Sequence, residues 1–258
     1  MIELRDISFN WPDEPTLLNR FSLMVRPGEK VVLLGANGCG KSTLLKLMNG
    51  LLEPVAGEIL WRGEKLTRAA LRQPGKAAAF RRACVLLFQH PEAMLFNPTV
   101  REELAYGLKQ LNVNGVDGAV AKWARVLSIE ALLDKAPFLL SGGQKQKVAL
   151  ASLLVLEPEL LLLDEPSSSL DPATIGRLID LLRHSGRTLV VATHNLSLAA
   201  ELGERAVVLG EQGRILFDGH VGKALGDMAL LEKAGLAHRH SHHHGGDEHV
   251  HVHTHDWE

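Results

Sequence analysis

Cysteine is scarce: two thiols, Cys39 and Cys84, in 258 residues. That is too few for a disulfide framework, so the expected compartment is a reducing cytosol. No apolar stretch approaches the ~20 residues a membrane-spanning helix requires; runs such as 160–163 and 188–192 are far shorter. The opening Met1-Ile2-Glu3-Leu4-Arg5-Asp6 lacks the basic start and apolar core of a signal peptide. Neither sign of charge dominates, with 28 Lys and Arg against 30 Asp and Glu and a formal net charge of -2. There is no global basic field, so no nucleic-acid partner is expected. What remains is a chain long enough to bury a sizeable core, of a length that suits one α/β domain with an inserted subdomain.

The stretch that organises it is Gly35-Ala36-Asn37-Gly38-Cys39-Gly40-Lys41-Ser42. An apolar run at 30–34 reads as a buried strand before it, and Thr43-Leu44-Leu45-Lys46-Leu47-Met48 reads as a helix after it. Glycines in such a loop let backbone N–H groups turn inward around phosphate oxygens, and the helix start adds its positive dipole end. Lys41 is expected to reach the β- and γ-phosphates and Ser42 to ligate Mg²⁺, with Asn37, Gly38, Cys39, Gly40 and Thr43 completing the cradle. Cys39, at a helix N-terminus, is expected to have a thiolate-favouring environment.

Residues 2–9 read as a strand ending at Asn10-Trp11-Pro12-Asp13, which leaves Trp11 either as a surface cover or as a stacking platform for adenine. A second strand is expected at 21–25, and 58–61 is short enough to belong to an antiparallel flap. Residues 84–88 read as a buried strand ending on Gln89, whose amide can touch both Mg²⁺ and a water near the γ-phosphate. The following loop, 90–100, is rich in proline and exposed apolar side chains, as a mobile docking segment would be. Helical patterning then runs through a subdomain at about 96–157. Inside it, Leu140-Ser141-Gly142-Gly143-Gln144 opens a helix, as an N-cap or as a second anion site. Two phosphate-binding helix starts in one chain suggest a head-to-tail pair, each chain's Ser141, Gly142 and Gly143 closing on the other's γ-phosphate.

The run Leu160-Leu161-Leu162-Leu163 terminates in Asp164-Glu165. Successive strand side chains diverge, so the two acids can take separate tasks: Asp164 on Mg²⁺, Glu165 on the attacking water. Ser169-Leu170-Asp171-Pro172 reads as a turn capping the next helix. Another buried strand at 188–192 ends on Thr193-His194, pointing His194 toward the γ-phosphate at the carboxyl ends of the strands.

Together these motifs resemble the ATP-binding-cassette ATPases across essentially residues 1–235, and the Leu-Ser-Gly-Gly-Gln order is the most specific part of the match. The resemblance implies an α/β fold: a phosphate-loop (RecA-like) core with an antiparallel flap and an inserted helical signature subdomain, the whole spanning 1–237. It also implies ATP and Mg²⁺ as cofactors and Gln144 in the signature beside Ser141. By the same resemblance the protein is a homodimer with ATP sandwiched, peripheral on the cytoplasmic face of the inner membrane, partnered by a transmembrane coupling subunit and a substrate-binding membrane subunit. Phe88-Gln89-His90-Pro91, Leu95 through Val100 and Ala105-Tyr106-Gly107 look most like the energy-coupling-factor importers for vitamins and for cobalt or nickel. His90 stands where Asn is usual, Lys147 where Arg is usual, and Ser168-Ser169 replace Gly or Ala. A non-transport cassette would show tandem cassettes, a coiled-coil insertion or a basic face, and none is present.

Residues 238–258 are compositionally separate. They hold nine of the 13 histidines: His238, His240, His242, His243, His244, His249, His251, His253 and His255. A cloning tag is usually an uninterrupted run, whereas this segment mixes alternating His with paired carboxylates. Imidazoles suit nickel, cobalt, zinc or copper, and the segment is too polar to pack, so it is expected to be disordered without metal. The function expected is ATP hydrolysis driving cobalt or nickel uptake, with vitamin or zinc transport as the alternative.

Overall fold

The computed structural model describes residues 1–244 and 247–254, with side chains described through Ala237. The chain divides into two compact units, residues 1–66 with 189–258, and residues 67–188.

The first unit opens with an antiparallel sheet. Strands β1 (Ile2–Asn10), β2 (Thr16–Val25), β4 (Ala56–Trp61) and β5 (Glu64–Lys65) lie in the order β2-β1-β4-β5. Strand β2 begins five residues before the expected start. Alternation fails there because the pairing with β1 shifts register between Ile7 and Phe9 and again before Asn10, while Arg20 sits at φ 49°. A bulge of this kind adds an unpaired residue and interrupts the period of two that a sequence reading relies on. Strand β3 (Lys30–Leu34) and helix α1 (Lys41–Met48) carry the phosphate loop between them.

The second unit holds helices α2 (Arg68–Leu71) and α3 (Pro74–Ala83), then strand β6 (Cys84–Leu87). Helices α4 (Val100–Gln110), α5 (Val116–Val126) and α6 (Gly142–Leu154) follow, and then strand β7 (Leu160–Asp164) and helix α7 (Pro172–Arg183). Strands β6 and β7 are parallel neighbours in the register Cys84↔Leu160 to Leu87↔Leu163. Both are wholly buried, which explains why they read as continuous apolar runs rather than as alternation. The helices close around Leu104, Val120, Ala124, Ile129, Val148 and Ala151. Each fully buried Leu, Ile or Val contributes about 1.5–3 kcal/mol by leaving water.

The chain returns to the first unit with β8 (Thr188–Ala192), α8 (Leu196–Leu202), β9 (Arg205–Leu209) and β10 (Ile215–His220). Strand β3 lies between β8 and β9, parallel to both, and β10 runs antiparallel to β9. Arg205 fastens this hairpin: its guanidinium donates to Asp218 at 2.5 and 2.6 Å and to Glu29 at 2.9 Å. Short helices α9 (Val221–Gly226) and α10 (Met228–Lys233) precede two further strands, β11 (Ala237–His244) and β12 (Asp247–Thr254), paired antiparallel. These two strands fall in the segment 238–258, and His255 lies outside the described residues.

Candidate functional site

In the first unit the phosphate loop leaves β3 at Gly35 and turns on Gly38 and Gly40, at φ 82° and 105°. Gly35 has no room for a side chain: a Cβ there would lie 2.6 Å from the Leu209 carbonyl oxygen and 2.7 Å from Cys39 Sγ. Gly40 caps α1 with its backbone alone, and Leu44 N–H donates to its carbonyl at 2.8 Å. A helix's first N–H groups have no acceptor inside the helix, so those of the Lys41-Ser42-Thr43 turn face an anion site. The buried Lys41 donates from Nζ to the carbonyls of Gly35 at 2.6 Å and Ala36 at 3.0 Å. Its ammonium thus rests on the loop itself.

Cys39 corrects the sequence reading. The residue is only 7% exposed. Burial pushes its thiol up from the ordinary value, with the Lys41 charge and backbone hydrogen bonds offsetting only part of that. The environment holds a neutral thiol facing Gly35, and Cys39 contributes backbone rather than a thiolate.

Strands β3 and β8 pair as Leu33↔Ala192, and Thr193 N–H donates to Leu33 O at 3.1 Å. Gly35 and the exposed His194 therefore leave the sheet at the same end. Asn195 follows and caps α8, accepting from Leu198 N–H at 2.7 Å. Trp11 is half-buried just beyond β1, its ring edge-to-face with Phe9 at a centroid distance of 5.2 Å.

The second unit brings Gln89, Asp164 and Glu165 to one end of its parallel pair, because Leu87 lies opposite Leu163. Gln89 is exposed, whereas Asp164 and Glu165 are buried at 5% and 6% exposure. Glu165 is not a strand residue. It follows β7 at φ 46°, a left-handed backbone uncommon outside glycine. The two acids are separated by this turn rather than by strand alternation, and such conformations gather at functional sites.

Ser141 caps α6 in a reciprocal box, its hydroxyl accepting from Gln144 N–H while Gln144 Oε1 accepts from Ser141 N–H at 3.0 Å. Each side chain is engaged with the other residue's backbone N–H. The two glycines differ. A Cβ on Gly143 would lie 2.6 Å from Ser169 O, while one on Gly142 would meet only Ser169 side-chain atoms at 3.5 Å. Close backbone approach, expected toward a ligand, is made at Gly143 toward the chain's own Ser169. One residue was missed. Gln146, fully buried, donates from Nε2 to Pro166 O at 3.1 Å, immediately after Glu165. A lone amide among the apolar positions of α6 was the available signal.

The loop expected to be mobile is pinned. The buried Glu103 carboxylate accepts from Phe96 N–H at 2.9 Å and Asn97 N–H at 2.8 Å. This presents Phe96, 65% exposed, edge-to-face against Tyr106. Beside Tyr106 lies a cleft of about 430 Å³ lined by Ala77, Arg81, Gly107, Leu111 and Leu156.

A parallel strand, a glycine loop with no room for a side chain at Gly35 and a helix headed by Lys41-Ser42 define an α/β phosphate-loop nucleotide-binding protein. More narrowly, the chain belongs to the ABC transporter family, whose profile matches residues 18–168, and it is an ATP-hydrolysing ABC ATPase. It is 41% identical to the nickel import ATP-binding protein NikO of Rhodobacter capsulatus, over 91% of this chain and 94% of that protein. The structure of cbiO1 from Clostridium perfringens, described as part of the ABC transporter complex cbiONQ, superposes with a TM-score of 0.74 at 28% identity over 91% of this chain and 94% of that one. A dimeric post-hydrolysis structure of the ATP-binding cassette MJ0796, bound to ADP and Pi, gives a TM-score of 0.75 at 26% identity over 86% and 99%.

Proposed function

We propose that this ATPase works as a head-to-tail homodimer, peripheral on the cytoplasmic face of the inner membrane, and drives cobalt or nickel uptake through energy-coupling-factor membrane subunits. Sequence likeness to a nickel import ATPase over nine-tenths of the chain is the observation that carries the cargo, and the imidazole-rich segment agrees with it. Among the described residues no helix is long and apolar enough to cross a membrane, so transport needs separate membrane subunits. The exposed Phe96 and Tyr106 pair beside the 430 Å³ cleft is where we place the coupling subunit.

In this reading Lys41 exchanges the carbonyls of Gly35 and Ala36 for the β- and γ-phosphates. Residues 37–43 wrap the phosphates through backbone N–H groups, and Trp11 stacks on the adenine. Ser42, Gln89 and Asp164 offer hydroxyl, amide and carboxylate oxygens, a donor set that fits a hard cation; Mg²⁺ bound there would neutralise phosphate charge. Glu165 takes the proton of the attacking water as general base, held by its left-handed turn. His194 donates to the γ-phosphate. Ser141, Gly142 and Gly143 of the second copy close the other side, with Gln144 locking the cap.

Glu165→Gln tests the mechanism. Hydrolysis is expected to fall ~10²-fold or more, with ATP binding kept and ATP-driven dimerisation visible by light scattering. A variant that turns over like the wild type, or stays monomeric at saturating MgATP, overturns it. Cargo is read separately: cells carrying the chain with its membrane subunits should accumulate radiolabelled nickel or cobalt, and a vitamin taken up instead would replace the metal.

A further inference from the structure

The phosphate loop meets the end of α10, and both belong to the first unit. Helix α10 closes on Gly235 at φ 68°. Gly235 N–H donates to Glu232 O at 3.0 Å and Leu236 N–H to Leu231 O at 2.8 Å, the paired bonds of a left-handed cap. The last carbonyls of a helix have no partner inside it, and the cap uses those of Leu231 and Glu232. Ala234 O is turned to the phosphate loop, where it accepts from Ala36 N–H at 3.0 Å. Ala36 is gripped from its other side too: its carbonyl accepts from Lys41 Nζ at 3.0 Å and from Cys39 N–H at 3.3 Å. A Cβ on Gly235 would lie 3.1 Å from Ala36 Cβ, tighter than side chains ordinarily pack. The helix end is itself rooted, with Leu231, Ala234 and Leu236 all buried.

We propose that the end of α10 is a positioning clamp for the phosphate loop, with Ala234 O fixing Ala36 N–H and Gly235 setting how far the loop can lean toward the helix. In the mechanism above, Lys41 gives up the carbonyls of Gly35 and Ala36 when its ammonium turns to phosphate. The bond to Ala234 uses a donor that the phosphates do not need, since the cradle begins at residue 37, so it persists through that exchange. A cradle already held in its binding shape loses less conformational freedom when nucleotide enters. The same backbone N–H groups hold the phosphates in the ground state and in the transition state, so the clamp acts on affinity rather than on the chemical step. Ala234 and Gly235 are positioning residues, and they act through Ala36. The inference rests on the reading that nucleotide occupies this loop, and it stands whether the transported cargo is a metal or a vitamin.

Gly235→Asn in the full chain tests it. Gly235 is exposed, and asparagine tolerates a left-handed backbone better than most side chains, so the substitution adds the Cβ with little strain at the cap. Gly63→Asn is the control: Gly63 has φ 83°, and a Cβ there meets nothing within 4 Å. ADP affinity is measured by calorimetry with Mg²⁺ present, and KM and kcat for ATP by phosphate release. Misplacing a binding group by about 1 Å can cost ~10²-fold, so a loop forced to give by a few tenths of an ångström should bind ADP about fivefold more weakly. KM should rise by the same factor with kcat nearly unchanged. Gly63→Asn should leave both constants at their wild-type values. In an Ala36→Gly background the opposing Cβ is gone, and Gly235→Asn should then cost little. Equal ADP affinity in Gly235→Asn, Gly63→Asn and the wild type overturns the clamp, and so does a loss that Ala36→Gly does not relieve. A wild-type chain that binds no ADP would overturn the nucleotide reading of the loop, and the clamp with it.

Discussion

The two signature glycines offer a sharp comparison, because they are adjacent, both at the start of α6, and neither has a left-handed backbone. Replacing either with alanine removes a flexible residue from a helix and should by itself stabilise the fold by about 0.5–1 kcal/mol. For Gly142→Ala nothing opposes this, since the new Cβ would meet Ser169 side-chain atoms at an ordinary 3.5 Å. For Gly143→Ala the Cβ would sit 2.6 Å from Ser169 O, a backbone atom that moves only if the turn moves. Overpacking of that kind costs about 1–3 kcal/mol, which leaves Gly143→Ala net destabilised and separates the two variants by roughly that amount. Urea unfolding followed by far-UV circular dichroism measures the gap as a difference in midpoints. The displaced turn begins at Pro166, next to Glu165, so Gly143→Ala should also slow ATP turnover more than Gly142→Ala. Superimposable unfolding curves would show that the Ser169 contact does not constrain α6 and would refute the reasoning.

Three further outcomes follow from the geometry. Gln146→Met keeps the volume but removes the bond to Pro166 O, and it also removes Oε1, a buried acceptor without a partner among the described residues. It should therefore lower kcat by about tenfold with little change in the KM for ATP and little loss of stability, and a parallel fall in stability and activity would make Gln146 merely structural. Cys39 should resist iodoacetamide at neutral pH in the native protein and react on unfolding. Because burial raises its folded-state pKa above the ordinary thiol value, the stability tied to the neutral thiol is complete below that ordinary value and is lost as pH rises through the folded one. Rapid native alkylation would restore the exposed thiolate. Glu103→Gln keeps an acceptor for Phe96 and Asn97 N–H but removes the charge assistance. Hydrogen exchange at those two amides should quicken severalfold while ATP turnover by the isolated chain stays unchanged.

The sequence alone determined the elements whose chemistry is written in consecutive residues. The phosphate loop, the all-leucine strand before Asp164-Glu165 and the capped start at Ser141 are local, because glycine content, an apolar run or a cap with Gln three residues on specifies each within a few positions. Tertiary structure decided whatever depends on a neighbour far along the chain. The bulged pairing of β1 and β2 hid the first half of β2. Burial against Gly35 reversed the expected chemistry of Cys39, since desolvation outweighs the Lys41 charge and the backbone hydrogen bonds that favour a thiolate. The approach of Ser169 to Gly143 and the Gln146 bond to Pro166 join segments 20 or more residues apart, and no periodicity encodes such meetings; nor does it encode the left-handed turn that ends β7 at Glu165.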